Sequence, residues 1–145
     1  VPKAYRHTAF KRIGNTLLAR IVRRGRGPKP MHVVTVRGRK SGKEYSTPFW
    51  LLERPDGWYW VSVFGETNTI KNARAAGRVT VSRGATRDEV RLVEVPVESR
   101  LPFLHEYVAA NTSSMVRTYF ASPTTSDDEL QALAVDHTVF KLEPA

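Results

Sequence analysis

No cysteine occurs among the 145 residues, which excludes disulfide frameworks, thiolate zinc sites, iron–sulfur clusters and thiol nucleophiles. Electron chemistry in this chain would need a bound organic cofactor. Long apolar runs are missing too. The longest, Phe49 to Leu52 and Trp58 to Phe64, fall far short of a membrane span, and no stretch reads as the core of a signal peptide. A cytoplasmic setting is the default expectation. Acidic residues are scarce, 14 against 23 Lys and Arg, so the formal charge is +9 and the long-range field attracts anions. Nucleic acid, an acidic membrane surface and a phosphorylated or polyglutamylated small molecule would all answer to that field, so the placement of the charges has to decide. His7, His32, His105 and His137 are scattered, with no helical metal-binding pair, and no metal site is indicated.

What is present fits one domain, since 41% hydrophobic content over this length can close a single core. From His7 to Arg24 the residues Phe10, Ile13, Leu17 and Ile21 keep the three-and-four spacing of one helix face, with Lys11, Arg12, Arg20, Arg23 and Arg24 around it. Residues 1–30 are thus expected to form a basic N-terminal helix and connector, part of the same domain as residues 31–145. Gly25, Gly27, Pro28 and Pro30 end the helix, and Met31 to Val36 reads as a strand. Gly38 to Gly42 is a turn and Glu44 to Leu52 the returning strand. Arg54-Pro55-Asp56-Gly57 turns the chain into the aromatic strand Trp58 to Phe64, in which Trp58 and Trp60 share a face as packing residues. Thr67 or Asn68 is expected to cap a short helix ending at Ala76 before Gly77. Val79 to Arg83 and Glu89 to Val95 flank a turn at Gly84. Pro96 ends the sheet, and Leu101, Leu104, Tyr107 and Val108 form a helical stripe. Ser126 to Glu129 is a capping box before another helix, and Thr138 to Leu142 is a closing strand. Antiparallel strands with a central helix and terminal helices argue for α+β and a closed or nearly closed barrel.

Arg37-Gly38-Arg39-Lys40-Ser41-Gly42-Lys43 gathers cations, a hydroxyl and two glycines that free the backbone to present N–H groups to an anion. It is not a nucleotide P-loop: three residues, not four, separate Gly38 from Gly42, and Glu44 follows Lys43. On local pattern alone a phosphate grip and a solvated hairpin turn stand about level.

The chain resembles the deazaflavin-dependent nitroreductase family at Val34-Thr35-Val36-Arg37-Gly38-Arg39-Lys40-Ser41-Gly42, Ser46-Thr47-Pro48, Phe64-Gly65-Glu66-Thr67-Asn68 and Lys71-Asn72-Ala73-Arg74-Ala75-Ala76-Gly77, in that order and spacing. Glu89 to Pro96 and His137 to Leu142 extend the likeness to the C-terminus. The resemblance implies a split β-barrel related to FMN-binding oxidoreductases. It also implies hydride transfer from coenzyme F-420, an 8-hydroxy-5-deazaflavin, to an electron-poor quinone, nitro compound or activated enone. FMN is the second cofactor option. By position, Arg39, Lys40, Ser41 and Gly42 would meet the phosphate and acidic tail, with Ser46, Thr47, Pro48 and Phe49 along the linker and ring. Phe64, Gly65, Glu66, Thr67 and Asn68 would form the opposite wall, and Asn72 and Arg74 would face the same groove from the short helix. Many relatives carry tryptophan where Thr69 stands, so one side of the pocket is expected to differ in shape.

Hydride transfer needs orientation and a dry site more than a protein nucleophile. Tyr119 is the candidate catalytic residue, its hydroxyl able to orient or protonate a substrate, with hydrophobic packing the favoured alternative for it. A lipid or fatty-acid carrier, or an anionic-surface binder, on the same fold is the competing function. Peripheral contact of the basic N-terminal helix with an anionic membrane is a secondary expectation. Nucleic acid is not an expected partner, and monomer and homodimer stay open.

Overall fold

The computed structural model describes residues 20, 22, 25 and 29–145. The basic helix expected over residues 7–24 lies outside the described residues apart from Arg20 and Val22, both helical. Val22 is buried against Val33, and its carbonyl accepts hydrogen bonds from the N–H groups of Gly25 (2.9 Å) and Gly84 (3.2 Å). The end of that segment is therefore docked on the barrel. No helix among the described residues is long and apolar enough to cross a membrane.

The strands are β1 (Met31–Arg37), β2 (Glu44–Trp50), β3 (Leu52–Arg54), β4 (Gly57–Val61), β5 (Arg78–Arg83), β6 (Thr86–Glu94) and β7 (Val139–Pro144). The helices are α1 (Asn68–Ala76), α2 (Leu101–Ala110), α3 (Ser114–Tyr119) and α4 (Asp127–Leu133), with a 3-10 turn over Val97–Ser99. One antiparallel sheet runs in the order β2-β1-β5-β6-β7-β4-β3. Its two edges, β2 and β3, are separated in sequence by Leu51 alone. The sheet must therefore curl until its edges meet, which makes a split barrel.

The single strand expected from Glu44 to Leu52 is thus two, because the run pairs with β1 up to Trp50 and with β4 from Leu52 on. Leu51 leaves the ladder at the corner, its N–H held by the Pro30 carbonyl at 3.0 Å. Side-chain alternation survives the break: Phe49 and Leu51 pack inside the barrel, Trp50 and Leu52 outside it. The same period of two divides β4. Trp58 and Trp60 join Val34, Val36, Val79 and Phe140 in the interior, while Tyr59 and Val61 lie under the helices with Leu104, Tyr107, Val116 and Leu130. Two cores therefore share β4 and β7 as their common wall.

Helix α1 plugs the interior core with Ile70 and Ala73. Thr67 caps it by accepting from the Ile70 N–H (3.4 Å), and Gly77 ends it at φ 73°, a left-handed conformation that glycine adopts without Cβ strain. Ser126 caps α4 through the Glu129 N–H at 3.2 Å. Helix α3 was not expected from the sequence, and β6 begins three residues before its expected start at Glu89. The aromatic strand stops at Val61, three residues short of Phe64, because the chain then turns toward Gly65.

Candidate functional site

The β1–β2 turn is closed from within. The Gly38 N–H donates to the Lys43 carbonyl (2.7 Å) and the Gly42 N–H to the Gly38 carbonyl (2.9 Å), with Gly42 at φ 74°. Ser41 Oγ accepts from the Lys43 N–H at 3.2 Å, and Arg37 Nη1 donates to the Gly42 carbonyl at 3.1 Å. Lys40, Ser41, Gly42 and Lys43 are left exposed. Among the described residues neither lysine makes an ion pair. Arg39 leans the other way: its backbone N–H and its Nη1 both donate to Asn72 Oδ1 of α1, at 3.1 and 2.6 Å.

On β2 the alternation splits the four consecutive residues assigned to the linker and ring. Ser46 and Pro48 oppose Thr35 and Val33 on the outer face, whereas Thr47 and Phe49 oppose Val34 and His32 on the other. Phe49 meets the Trp60 ring inside the barrel at 4.9 Å, and Ser46 Oγ lies 2.8 Å from Thr35 Oγ1. A ligand on the outer face can reach the Ser46 hydroxyl but not the side chains of Thr47 and Phe49.

The Phe64–Asn68 loop is fixed from several sides. His137 Nδ1 lies 2.7 Å from the Ser62 carbonyl, so this nitrogen carries the proton, and the buried ring stacks on Phe120 at 4.5 Å. The Ser62 N–H donates to the Thr138 carbonyl (2.8 Å), and its hydroxyl donates to the carbonyl of Gly65, which sits at φ 79°. Glu66 takes two hydrogen bonds from Arg74 Nη1 and Nη2 (2.9 and 2.8 Å) and one from the Thr138 hydroxyl (2.7 Å). Arg74 Nε reaches Glu94 at 2.9 Å. The other Glu94 oxygen receives Arg100 Nη2, also at 2.9 Å. Arg100 is 3% exposed and also donates to the carbonyls of Val95 and Ala134. All three nitrogens of Arg74 are therefore engaged by the protein, and Glu66 braces this loop. Tyr119 packs edge-on against Phe64 with centroids 5.5 Å apart.

The hydrogen bonds from Arg74 are the first cause that holds the Glu66 carboxyl down to about 2, from an ordinary 4.5. A depressed carboxyl stabilises the fold fully above its unfolded value, and that contribution is lost as pH falls from there toward the folded value. Glu66→Gln is thus expected to flatten the decline of melting temperature between pH 4.5 and about 2. Identical slopes for the two proteins would contradict the brace.

Helix α1 is the element that brings the expected residues together. Asn72 ties it to the cationic turn, and Thr67 and Arg74 tie it to the Phe64–Asn68 loop. Asn68 opens the helix on the exposed surface, and Thr69 follows it half-buried. Sequence reasoning missed Thr35, Glu94, Arg100 and Thr138. The Arg74 contacts to Glu94 and Thr138 span 20 and 64 residues, and no local pattern marks such separations.

No family profile and no curated protein matches the chain. Solved structures do. An F-420-H2-dependent reductase is 20% identical, covering 79% of this chain and 95% of its own, with a TM-score of 0.53. An FAD-binding protein from Mesorhizobium loti is 18% identical over 89% and 88%, with a TM-score of 0.51. A domain-swapped dimer is 18% identical over 92% and 96%, with a TM-score of 0.56. Likeness at these identities establishes the fold: the chain is a split β-barrel, the architecture it shares with an F-420-H2-dependent reductase and an FAD-binding protein.

Proposed function

We propose that the chain is an oxidoreductase that binds reduced coenzyme F-420 and delivers hydride to an electron-poor organic acceptor such as a quinone or nitro compound. The observation that carries this reading is the cationic Arg39–Lys43 turn. It is closed by its own backbone and fastened to α1, with Lys40 and Lys43 unpaired among the described residues. An acidic, phosphate-bearing tail is the ligand that such a turn suits. The bound coenzyme would supply the hydride. The Lys40 and Lys43 ammonium groups and the Ser41 hydroxyl hold the tail, and the braced Phe64–Asn68 loop forms the wall that keeps water out. Pairing of two copies agrees with the domain-swapped assembly of one structural neighbour.

Full reduction of a quinone by hydride also requires a proton, and the Tyr119 hydroxyl is the candidate to orient the acceptor or supply it, with packing of its ring edge-on against Phe64 as the alternative role. Tyr119→Phe keeps the ring and its edge contact. With saturating coenzyme, turnover of a quinone and a nitroaromatic should fall while coenzyme affinity and melting temperature hold. Unchanged turnover with both removes Tyr119 from the chemistry, and a matched loss of stability assigns its hydroxyl to folding. If the protein does not oxidise the reduced coenzyme with any acceptor of these classes, the oxidoreductase reading is wrong.

A further inference from the structure

Resting on that reading, we infer that Asn72 is a positioning residue: its side-chain oxygen locks Arg39 against α1, so that the turn meets an anionic ligand already ordered and still fully charged. The first observation is the double acceptance. One amide oxygen receives both the backbone N–H and Nη1 of Arg39, at 3.1 and 2.6 Å, across 33 residues of sequence. Two lone pairs make this possible without leaving either donor unmet.

The second observation is the chemistry chosen for the partner. Arg37, Arg54, Arg74, Arg78, Arg91 and Arg100 are each paired with a glutamate. Arg39 is held by a neutral amide. A carboxylate there would hold the guanidinium as firmly but cancel its charge, whereas asparagine fixes the geometry and leaves the charge for an incoming anion. Among the described residues Nε and Nη2 of Arg39 take no partner, which leaves them as donors beside the neighbouring exposed Lys40.

The third observation is the rigidity of the anchor. Ala73, next to Asn72, is fully buried, and Ile70 is buried two residues before it, so the helix cannot shift without opening the interior core. An arginine is costly to order, and ordering it before the ligand arrives spares that cost at binding.

The test combines amide exchange with coenzyme titration on the full chain. In Asn72→Ala the Arg39 amide should lose its protection, while those of Gly38 and Gly42, bonded within the turn, keep theirs. Affinity for coenzyme F-420 should weaken by about threefold to tenfold, and the loss should persist in high salt because its origin is conformational. Alanine favours the helix, so α1 should stay folded. In Asn72→Asp the Arg39 amide should stay protected, while the affinity deficit relative to wild type is largest at low salt and shrinks as salt screens the added charge. Unchanged Arg39 exchange in Asn72→Ala, with or without weaker binding, overturns the locking role. Weaker binding alone would make Asn72 a direct ligand contact. Wild-type protein that binds no coenzyme overturns the functional reading and this role with it, whereas wild-type binding with unaltered affinity in Asn72→Ala overturns this role alone.

Discussion

Trp60→Ala is expected to cost about 3–5 kcal/mol of folding stability, the usual range for a large aromatic removed from a close-packed core. Trp60 is fully buried and touches both Phe49 and Phe140, at centroid distances of 4.9 and 5.7 Å. Those contacts join β2, β4 and β7 across the interior, so the cavity cannot collapse without moving three strands. Trp60→Phe separates volume from polarity. The indole Nε1 is buried without a hydrogen-bond partner among the described residues, and a buried unmet donor costs about 1–3 kcal/mol. Phenylalanine removes that donor and keeps most of the packing, so its loss should be less than half that of alanine. Urea midpoints at constant slope would measure both. Equal losses would mean that the interior is not packed around the indole in this way.

The barrel was legible in the sequence wherever a local pattern had one solution. Pro55-Asp56-Gly57 could only turn, and the period of two in the aromatic strand put Trp58 and Trp60 on one face, the one that packs in the barrel interior. Thr67, Gly77 and Ser126 marked helix ends through capping chemistry that reaches no further than three or four residues. The break at Leu51 was not legible, because the extended pattern runs straight through it and only the change of pairing partner creates the corner. Helix α3 was missed because it is one short turn and a half within a polar stretch, and the start of β6 because Thr86 to Glu89 is exposed and carries no apolar alternation.

The candidate site divides the same way. The cationic turn was visible as a cluster, but its attachment to Asn72 joins residues 33 apart. The resemblance put Arg74 on the cofactor groove together with Asn72 because the two share one short motif. In the fold the two leave α1 in different directions, one toward the turn and the other toward Glu66 and Glu94. A list of motif residues cannot distinguish a group that touches a ligand from one that holds the wall behind it.

Arg39→Ala and Lys40→Ala should each weaken coenzyme binding by about tenfold at low ionic strength, the scale of one charge-assisted hydrogen bond. Both residues are exposed, so melting should hardly change, since surface charges contribute at most about 1 kcal/mol to folding. Lys40→Ala isolates the charge, whereas Arg39→Ala also releases the contact with Asn72. Screening at 0.1 M salt acts over about 10 Å, so the Lys40 effect should shrink steeply as salt is raised. If neither substitution alters affinity at low salt, the turn is a solvated hairpin and the anionic tail is held elsewhere.

The most direct measurement is a parallel fluorescence titration of the purified protein with coenzyme F-420 and with FMN. A longer and more anionic tail gives the Arg39–Lys43 turn more to hold, so the deazaflavin coenzyme should bind more tightly, by a margin that narrows as salt is added. Equal affinity, or preference for FMN, would contradict the cofactor assignment and leave only the barrel standing.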